Sequence, residues 1–228
     1  MDTIIYNTEP QGSEGWLAAR RGAITGSRFK DATDFKEPTK KDRDAGIKRG
    51  ESTSKRLGYA MDLAREREGG SVLGPYVNAE MRMGTEQEPF ARMAYEDRYG
   101  VMVDEVGFAH THDHRFGVSV DGLVGADGMI EIKTMVSSAT LFKAVVEGDI
   151  SEYRQQCVGA MWLLRKKWCD LCLWAPDLRT RLHVIRIERD EDEIAALELD
   201  LLSFDKLVEE YRGKLAGKLG PVAVQEAA

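Results

Sequence analysis

The stretch VSVDGLVGADGMIEIK, residues 118–133, decides how this chain is expected to fold. Two apolar runs flank the Gly-Ala-Asp-Gly sequence at residues 125–128, and glycine and aspartate are typical of tight turns. The pattern predicts a β-hairpin whose strands cover residues 116–120 and 129–133. This hairpin is expected to supply two strands of a central sheet.

Charged residues alternate with apolar residues in the second strand of this hairpin. Alternate residues of a strand share a face, so Ile130 and Ile132 are expected to point into the core. Glu131 and Lys133 then point together to the other side. Because Asp121 ends the preceding strand, the hairpin is expected to bring it beside Glu131. Two carboxylates and an amine would converge on one small site.

This combination of charges predicts a metal-dependent site. Charged groups at the inner edge of a sheet cost free energy unless something pairs them. Mg²⁺ prefers carboxylate oxygens and bridges to substrate phosphates, and it lowers the pKa of a bound water. A neighbouring lysine can hold or deprotonate that water. The structural alternative is a surface strand that carries an ordinary Glu–Lys pair.

The remaining patterns predict helices before, between and after the strands of a central mixed β-sheet, which is the α+β class. We expect one domain over residues 1–228, with a mobile basic loop at about 34–54 and an acidic helix at about 190–215. Further strands are expected at 101–108, 168–174 and 181–188, and helices at 13–21, 54–66, about 77–99, 138–147 and 151–165.

Composition narrows the class of protein. No apolar run approaches the roughly 18 residues that span a membrane, and the N-terminus has no basic region followed by an apolar one. The three cysteines are too few, and odd in number, for a disulfide framework. These features predict a cytoplasmic protein.

Charge is distributed unevenly. The net charge of -7 by itself counts against nucleic-acid binding. Residues 16–56, however, hold twelve Lys and Arg against six Asp and Glu, whereas residues 188–210 hold two against ten. The basic surface could meet phosphate, and the acidic one could face solvent or a basic neighbour in an oligomer.

Two helical segments offer further polar groups. Glu88 lies early in a helix and could supply another carboxylate, although the helix dipole also favours glutamate there. Tyr153 and Gln156 are three residues apart and share a helical face. Gln156 could orient a water or contact DNA, although buried glutamines are also often structural.

With these motifs in order, the sequence resembles the phage lambda-type exonucleases of the PD-(D/E)xK superfamily, whose fold is restriction-endonuclease-like. The resemblance runs from about Trp16 to Glu188. It rests on the segments WLAARRGAITGS (16–27), Met83-Gly84 with Glu88, SVDG (119–122), EIK (131–133), and Tyr153, Gln156 and Met161-Trp162.

The resemblance implies a role for each of these positions. Asp121 and Glu131 would bind Mg²⁺, with the Ile132 carbonyl as a third ligand, and Mn²⁺ would substitute. Lys133 would act on the attacking water. Four further residues complete the expected site: Glu88 and Gln156 beside the metal, and Arg20 with Ser27 as a 5′-phosphate pocket. That pocket also makes physical sense, because arginine grips phosphate and a helix N-terminus favours it.

The sequence departs from the family pattern at two places. Val120 stands where the family has a proline, which is not a ligand. Around Gln156 the sequence reads Gln155-Gln156-Cys157-Val158, where a second glutamine two residues on is more typical. Gln155 therefore remains an alternative to Gln156.

The resemblance further implies an exodeoxyribonuclease of phage or prophage origin that acts in a bacterial host. It would digest one strand of linear double-stranded DNA from a 5′-phosphorylated end, release 5′-mononucleotides and leave a 3′ overhang for recombination. A homotrimeric ring around the DNA and a single-strand annealing recombinase as partner are also implied. The alternatives are an endonuclease or junction resolvase of the same superfamily, and a non-catalytic module that binds DNA ends or loads a recombinase.

Two other patterns are not expected to hold metal. His110, His112 and His114 are predicted to lie on a polar turn before the Phe116 strand rather than to bind zinc. Cys169 and Cys172 have C-x-x-C spacing but fall in an apolar run, and no second pair exists. Core packing is expected for both cysteines.

Overall fold

The structure is a computed structural model that describes residues 3–47, 49–71 and 79–220. Within these residues the chain forms eight strands and eight α-helices. The strands are β1 (Ile4–Tyr6), β2 (Ile24–Thr25), β3 (Ala109–Thr111), β4 (Phe116–Val118), β5 (Gly122–Val124), β6 (Gly128–Thr134), β7 (Trp168–Trp174) and β8 (Leu182–Glu188). The helices are α1 (Glu14–Arg20), α2 (Phe29–Ala32), α3 (Lys40–Asp44), α4 (Ser54–Arg67), α5 (Ala79–Tyr99), α6 (Ser138–Leu141), α7 (Ser151–Leu164) and α8 (Glu191–Leu219).

The strands form two four-stranded mixed sheets. One has the order β1-β3-β4-β2, and the other has the order β5-β6-β7-β8. In the second sheet β6 is antiparallel to β5 and parallel to β7, and β8 is antiparallel to β7. A parallel neighbour requires a crossover connection, which here runs through α6 and α7. The expected α+β, restriction-endonuclease-like class is confirmed.

The hairpin prediction was correct for β6 but wrong for its partner. β6 pairs with β5, and Gly122 lies opposite Ile130. The segment predicted at 116–120 instead forms β4, which pairs with β3 and β2 in the other sheet. The chain crosses between the two sheets at residues 119–121, so what was predicted as one central sheet is two.

The strand predicted at 101–108 was also misplaced. The strand is Ala109–Thr111, and residues 101–108 contribute only an isolated bridge between Asp104 and Leu123. Val103 is buried there because it packs against Gly122, where an added Cβ would lie 2.1 Å from the valine Cγ1. The valine thus fills space beside β5 without continuous strand pairing.

Apolar side chains pack on both faces of the sheet that contains β6. Ile130 and Ile132 belong to a cluster with Ala91 and Tyr95 of α5, as their alternation predicted. Met129 belongs to the larger cluster on the opposite face, which includes α7, α4 and α8. Cys169 and Cys172 are buried in different clusters, so core packing is confirmed for both.

Helices form in both the basic segment at 34–54 and the acidic segment at 190–215. Residues 34–54 include α3, which begins with a capping box between Thr39 and Asp42, and a bridge between Phe35 and Ser52. The acidic helix runs as α8 from 191 to 219, caps at Asp190 and packs on α4. None of the described helices is long and apolar enough to cross a membrane.

Candidate active site

One cleft of about 630 Å³ lies between α1, α5, β6 and α7. It lies where the two sheets meet, because Ser119 and Asp121 of the connection between them both line it. All eight residues that the sequence singled out lie along it: Arg20, Ser27, Glu88, Asp121, Glu131, Ile132, Lys133 and Gln156. Residues from distant parts of the chain therefore meet at one place.

The charged pair on β6 lies on the face that α7 covers. Lys133 Nζ donates to Glu131 Oε1 at 2.7 Å, and Gln156 Nε2 donates to the same oxygen at 2.5 Å. Lys133 Nζ also lies 5.9 Å from the centre of the Tyr153 ring. Tyr153 and Gln156 thus share one helical face, as their spacing predicted, and both contact the β6 pair.

The other two carboxylates enter from different elements. Asp121 Oδ2 accepts a hydrogen bond of 2.5 Å from the backbone N–H of Ile132, which fixes the carboxylate at the start of β5. The Ile132 N–H is therefore engaged, and a ligand role for its carbonyl stays a prediction. Glu88, on α5, accepts from Arg92 at 2.8 Å, and Arg92 also pairs with Glu105.

Burial and mutual repulsion make these carboxylates hard to ionise. Burial, followed by repulsion from Asp121, raises the pKa of Glu88 to about 7. Burial raises the pKa of Glu131 to about 8, because repulsion from Asp121 offsets part of the attraction of Lys133. Burial also raises the pKa of Asp121.

The pKa of Lys133 is also raised, which for an amine favours the charged form. Burial lowers the pKa of Lys133, but the carboxylates of Glu131 and Asp121 together outweigh burial and raise it. The lysine therefore stays protonated in the protein alone. Its single positive charge is shared by two carboxylates, so the site carries an excess of negative charge that a proton or a cation can neutralise.

The donor set fits a hard divalent cation. Glu131 Oε2 is fully buried and has no hydrogen-bond partner among the described residues. A buried, unpaired carboxylate oxygen is costly unless a cation binds it. Within the described ranges no group of three or more His, Cys, Asp and Glu side chains is arranged to hold a metal. Mg²⁺ needs fewer, since one or two carboxylates with waters and substrate phosphate commonly hold it.

The opposite end of the cleft is built around Arg20. Its two terminal nitrogens lie 3.3 Å from Ser119 Oγ and 3.3 Å from Ser27 Oγ. The guanidinium stacks on Trp16 at 4.1 Å, and Trp16 Nε1 donates to Ser119 at 3.0 Å. Burial lowers the pKa of Arg20, and no carboxylate lies within 4.0 Å of it in the described part of the chain.

Local sequence explains why Arg20 and Ser27 meet. Ser13 caps α1 and accepts from Trp16 N, which sets the helix that carries Arg20. Ser27 lies in a 3₁₀ turn over Gly26–Arg28. Gly26 is needed there because an added Cβ would lie 2.9 Å from Val118 Cγ1. The turn thus packs closely on β4, beside Ser119.

The two glutamines left open by the sequence occupy different places. Gln156 contacts Glu131, whereas Gln155 accepts from Thr33 at 2.9 Å and lines a separate cleft. The side chains that hold Arg20, Trp16 and Ser119, were not assigned roles from the sequence, and neither was Arg92, which pairs with Glu88. The first two lie within quoted motifs, but their orientation toward Arg20 depends on the contact between two sheets, which no local pattern encodes.

The fold and this cleft define the chain as a member of the restriction-endonuclease-like class. Residues 15–165 match the YqaJ-like viral recombinase domain, which is about two thirds of the chain, so the protein belongs to that family. The family resemblance expected from the motifs is therefore confirmed. No match is found among curated proteins.

Solved structures agree with this assignment. The alkaline exonuclease LHK-Exo from Laribacter hongkongensis is 33% identical, with a TM-score of 0.73 over 91% of this chain and 100% of that chain. The same enzyme in complex with dAMP gives a TM-score of 0.74, also at 33% identity and the same coverage. A phage-related exonuclease from Haemophilus somnus shares the fold at 15% identity, with a TM-score of 0.60 over 87% and 96% of the two chains.

Proposed function

We propose that this protein is a Mg²⁺-dependent exodeoxyribonuclease that digests one strand of linear double-stranded DNA from a 5′-phosphorylated end. The observation that carries the proposal is the single cleft with two chemically different ends. Buried carboxylates and Lys133 lie at one end, and Arg20 lies at the other without a carboxylate partner. The similarity to an alkaline exonuclease at 33% identity supports the same class of reaction.

The carboxylate end would carry the chemistry. Asp121 and Glu131 would hold Mg²⁺, and Mn²⁺ would substitute, since both prefer oxygen ligands. When bound, the metal supplies an activated water and neutralises charge on the phosphate. Lys133 would orient that water and stabilise the developing charge, because its ammonium is held by Glu131. Gln156 would keep Glu131 oriented, and Glu88 would add negative charge beside Asp121.

The arginine end would select the substrate. A terminal phosphate offers several acceptor oxygens and nearly two negative charges, which suit a guanidinium flanked by the hydroxyls of Ser27 and Ser119. Binding there would place the 5′ end of one strand in the cleft and the scissile bond near the carboxylates. This arrangement supports 5′→3′ polarity, 5′-mononucleotide products and a 3′ overhang.

The proposal is tested by digestion of a linear duplex with one 5′-phosphate and one 5′-hydroxyl end, each strand carrying its own label. The phosphorylated strand should shorten from its 5′ end with Mg²⁺ or Mn²⁺ and not with EDTA. Lys133→Ala should stop the reaction, and Arg20→Ala should slow it on phosphorylated ends alone. Lys143→Ala and Arg21→Ala, at exposed positions of the same residue types, are the matched controls.

Other outcomes would favour the alternatives. Nicking of circular DNA would indicate an endonuclease, and loss from 3′ ends would remove the proposed polarity. End binding without any product under Mg²⁺ or Mn²⁺ would indicate a non-catalytic module.

We also propose a homotrimeric ring and a single-strand annealing recombinase as partner. The family name, a viral recombinase domain, supports a role in recombination. The molar mass in solution tests the first proposal. Delivery of the 3′ overhang to a purified single-strand annealing protein tests the second.

A further inference from the structure

The turn that joins α1 to β2 connects the two residues of the proposed phosphate site. Arg20 ends α1, and Ser27 follows β2, so residues 21–23 set the position of one relative to the other. Two side chains of α4 hold this turn. Glu66 accepts from Gly22 N at 2.8 Å, and Arg67 donates to Gly22 O at 2.9 Å.

A histidine provides the third contact to this turn. His114 Nε2 lies 3.2 Å from the carbonyl oxygen of Arg21. A carbonyl only accepts hydrogen bonds, so Nε2 must carry the proton. His110 Nδ1 lies 2.9 Å from the carbonyl of Thr111 and must likewise be a donor.

These two assignments fix the charge state of His114. His114 Nδ1 lies 3.3 Å from His110 Nδ1, which already carries a proton. His114 Nδ1 can share that proton only if it carries none itself, so the arrangement is the one expected of a neutral His114 ring. A proton on His114 Nδ1 would set two N–H groups against each other.

The same histidine pair also packs behind the arginine. The His110 ring stacks on Phe108 with ring centroids 5.7 Å apart, and the His114 ring meets Phe108 edge-on with centroids 6.4 Å apart. Phe108 also contacts Arg20, whose guanidinium carbon lies 5.5 Å from the centre of the phenylalanine ring. The histidine pair therefore contacts the surroundings of Arg20 at two places, the backbone of Arg21 and the ring of Phe108.

We propose that His114, supported by His110, is a positioning residue of the 5′-phosphate site that acts only while its ring is neutral. Protonation would set the new N–H of His114 Nδ1 against the N–H of His110 and turn the His114 ring away. Because Nε2–H still donates to the Arg21 carbonyl, the displaced ring would shift the Arg21 backbone, and Arg20 and Ser27 would lose their fixed separation. Selection of phosphorylated ends would then weaken in acid. The proposal rests on the proposed function of this cleft.

On balance, the groups around His114 favour its neutral form. Burial and the neighbouring His110 ring lower the pKa of His114, and so does the Arg67 guanidinium, whereas the Arg21 carbonyl and Asp113 raise it. Asp113 and Asp205 both pair with Arg115, which limits their effect on the histidine. The ring therefore stays neutral until the pH falls below the ordinary histidine pKa of about 6.5.

His114 has a left-handed backbone conformation, with φ of 61°, so a replacement must tolerate that conformation. His114→Gly accepts this conformation and removes the ring. His114→Gln keeps an N–H group for the Arg21 carbonyl and an oxygen for His110, but it cannot be protonated. His112→Gln, an exposed position in the same turn, is the matched control.

The test measures kcat/KM on 5′-phosphate and 5′-hydroxyl ends between pH 5.5 and 8.5, and the readout is the ratio of the two values. At pH 8 we expect His114→Gly to lower the ratio about tenfold, through KM rather than kcat, which is the size of one lost hydrogen bond. His114→Gln should restore it. The terminal phosphate itself titrates near pH 6, but this effect is common to all variants.

The decisive comparison is between the wild type and His114→Gln in acid. At pH 5.5 the wild-type ratio should be about tenfold below that of His114→Gln, and His112→Gln should follow the wild type. Coincident profiles for the wild type and His114→Gln would overturn the inference while leaving the phosphate site intact. A wild type that shows no preference for phosphate at pH 8 would instead refute the site itself, and this inference with it.

Discussion

Replacing Glu131 with glutamine is expected to abolish cleavage and, without divalent cations, to stabilise the folded protein. The pKa of Glu131 is raised from 4.5 to about 8 by burial in the folded protein. The unfolded chain therefore releases this proton at a lower pH than the folded chain does. Stability is lost as the pH rises between these two values.

The magnitude follows from the same shift. Each pKa unit corresponds to about 1.4 kcal/mol, so the wild type should lose about 1.4 kcal/mol of unfolding free energy per pH unit relative to Glu131→Gln. Between pH 6 and 8 the difference should grow by about 3 kcal/mol, and above pH 8 it should level off. For a chain of this size that corresponds to roughly 5–10 °C in Tm.

The assay is thermal or urea unfolding in EDTA at pH 6, 7, 8 and 9. Glu147→Gln, at an exposed position outside the cleft, controls for the loss of one negative charge. Mg²⁺ at pH 8 should raise the Tm of the wild type and leave that of Glu131→Gln unchanged, since a ligand stabilises only the state that binds it. A pH-independent difference between the two proteins would refute the electrostatic reasoning, whatever the activities are.

Three further substitutions separate chemistry, orientation and packing. Lys133→Met should reduce kcat by at least about a hundredfold with DNA binding retained, as judged by single-turnover rates and fluorescence anisotropy. Gln156→Ala should lower kcat about tenfold because Glu131 loses a hydrogen bond, whereas Gln155→Ala should leave kcat unchanged. Equal kcat values for the two variants would contradict the proposed role of Gln156. Gly159→Ala should lower the free energy of unfolding by about 1–3 kcal/mol, measured in urea, because the added Cβ would lie 2.2 Å from the Phe29 ring. An unchanged urea midpoint would show that the ring moves aside freely.

The sequence predicted β6, the strand of the proposed metal site, well because its charged and apolar residues alternate strictly. Its buried isoleucines face α5, and its charged pair faces α7. The helical spacing of Tyr153 and Gln156 was equally informative. In both cases a short-range periodicity fixes which side chains share a face.

The division into two sheets could not be predicted in the same way. Only two or three residues form each of the strands β2, β3, β4 and β5. The sequence pattern of such a short apolar segment does not show which strand it pairs with. Their pairing depends on long-range packing, such as the fit of Val103 against Gly122. That information lies in the three-dimensional arrangement and not in either segment alone.

The acidic helix α8 forms ion pairs with basic side chains of the same chain. Two of these pairs join it to the N-terminal part of the chain, Arg49–Asp200 and Arg67–Asp205. Arg154 similarly holds Glu193 through two hydrogen bonds. Arg49 belongs to the basic segment counted at residues 16–56, whereas Arg67 and Arg154 lie outside it, so these pairs leave most of that surplus in place.

The short connection between the two sheets limits which product the proposed site can release. Ser119 contacts Arg20 at the phosphate end, and Asp121 lies among the carboxylates. Two residues of backbone span at most about 7 Å, and Val120 between them is buried, which anchors the segment. A phosphate held at Arg20 and a phosphodiester held at Asp121 must therefore be near neighbours on one strand. This separation favours release of single nucleotides, and dinucleotide or longer products would mean that the 5′-phosphate binds elsewhere than at Arg20.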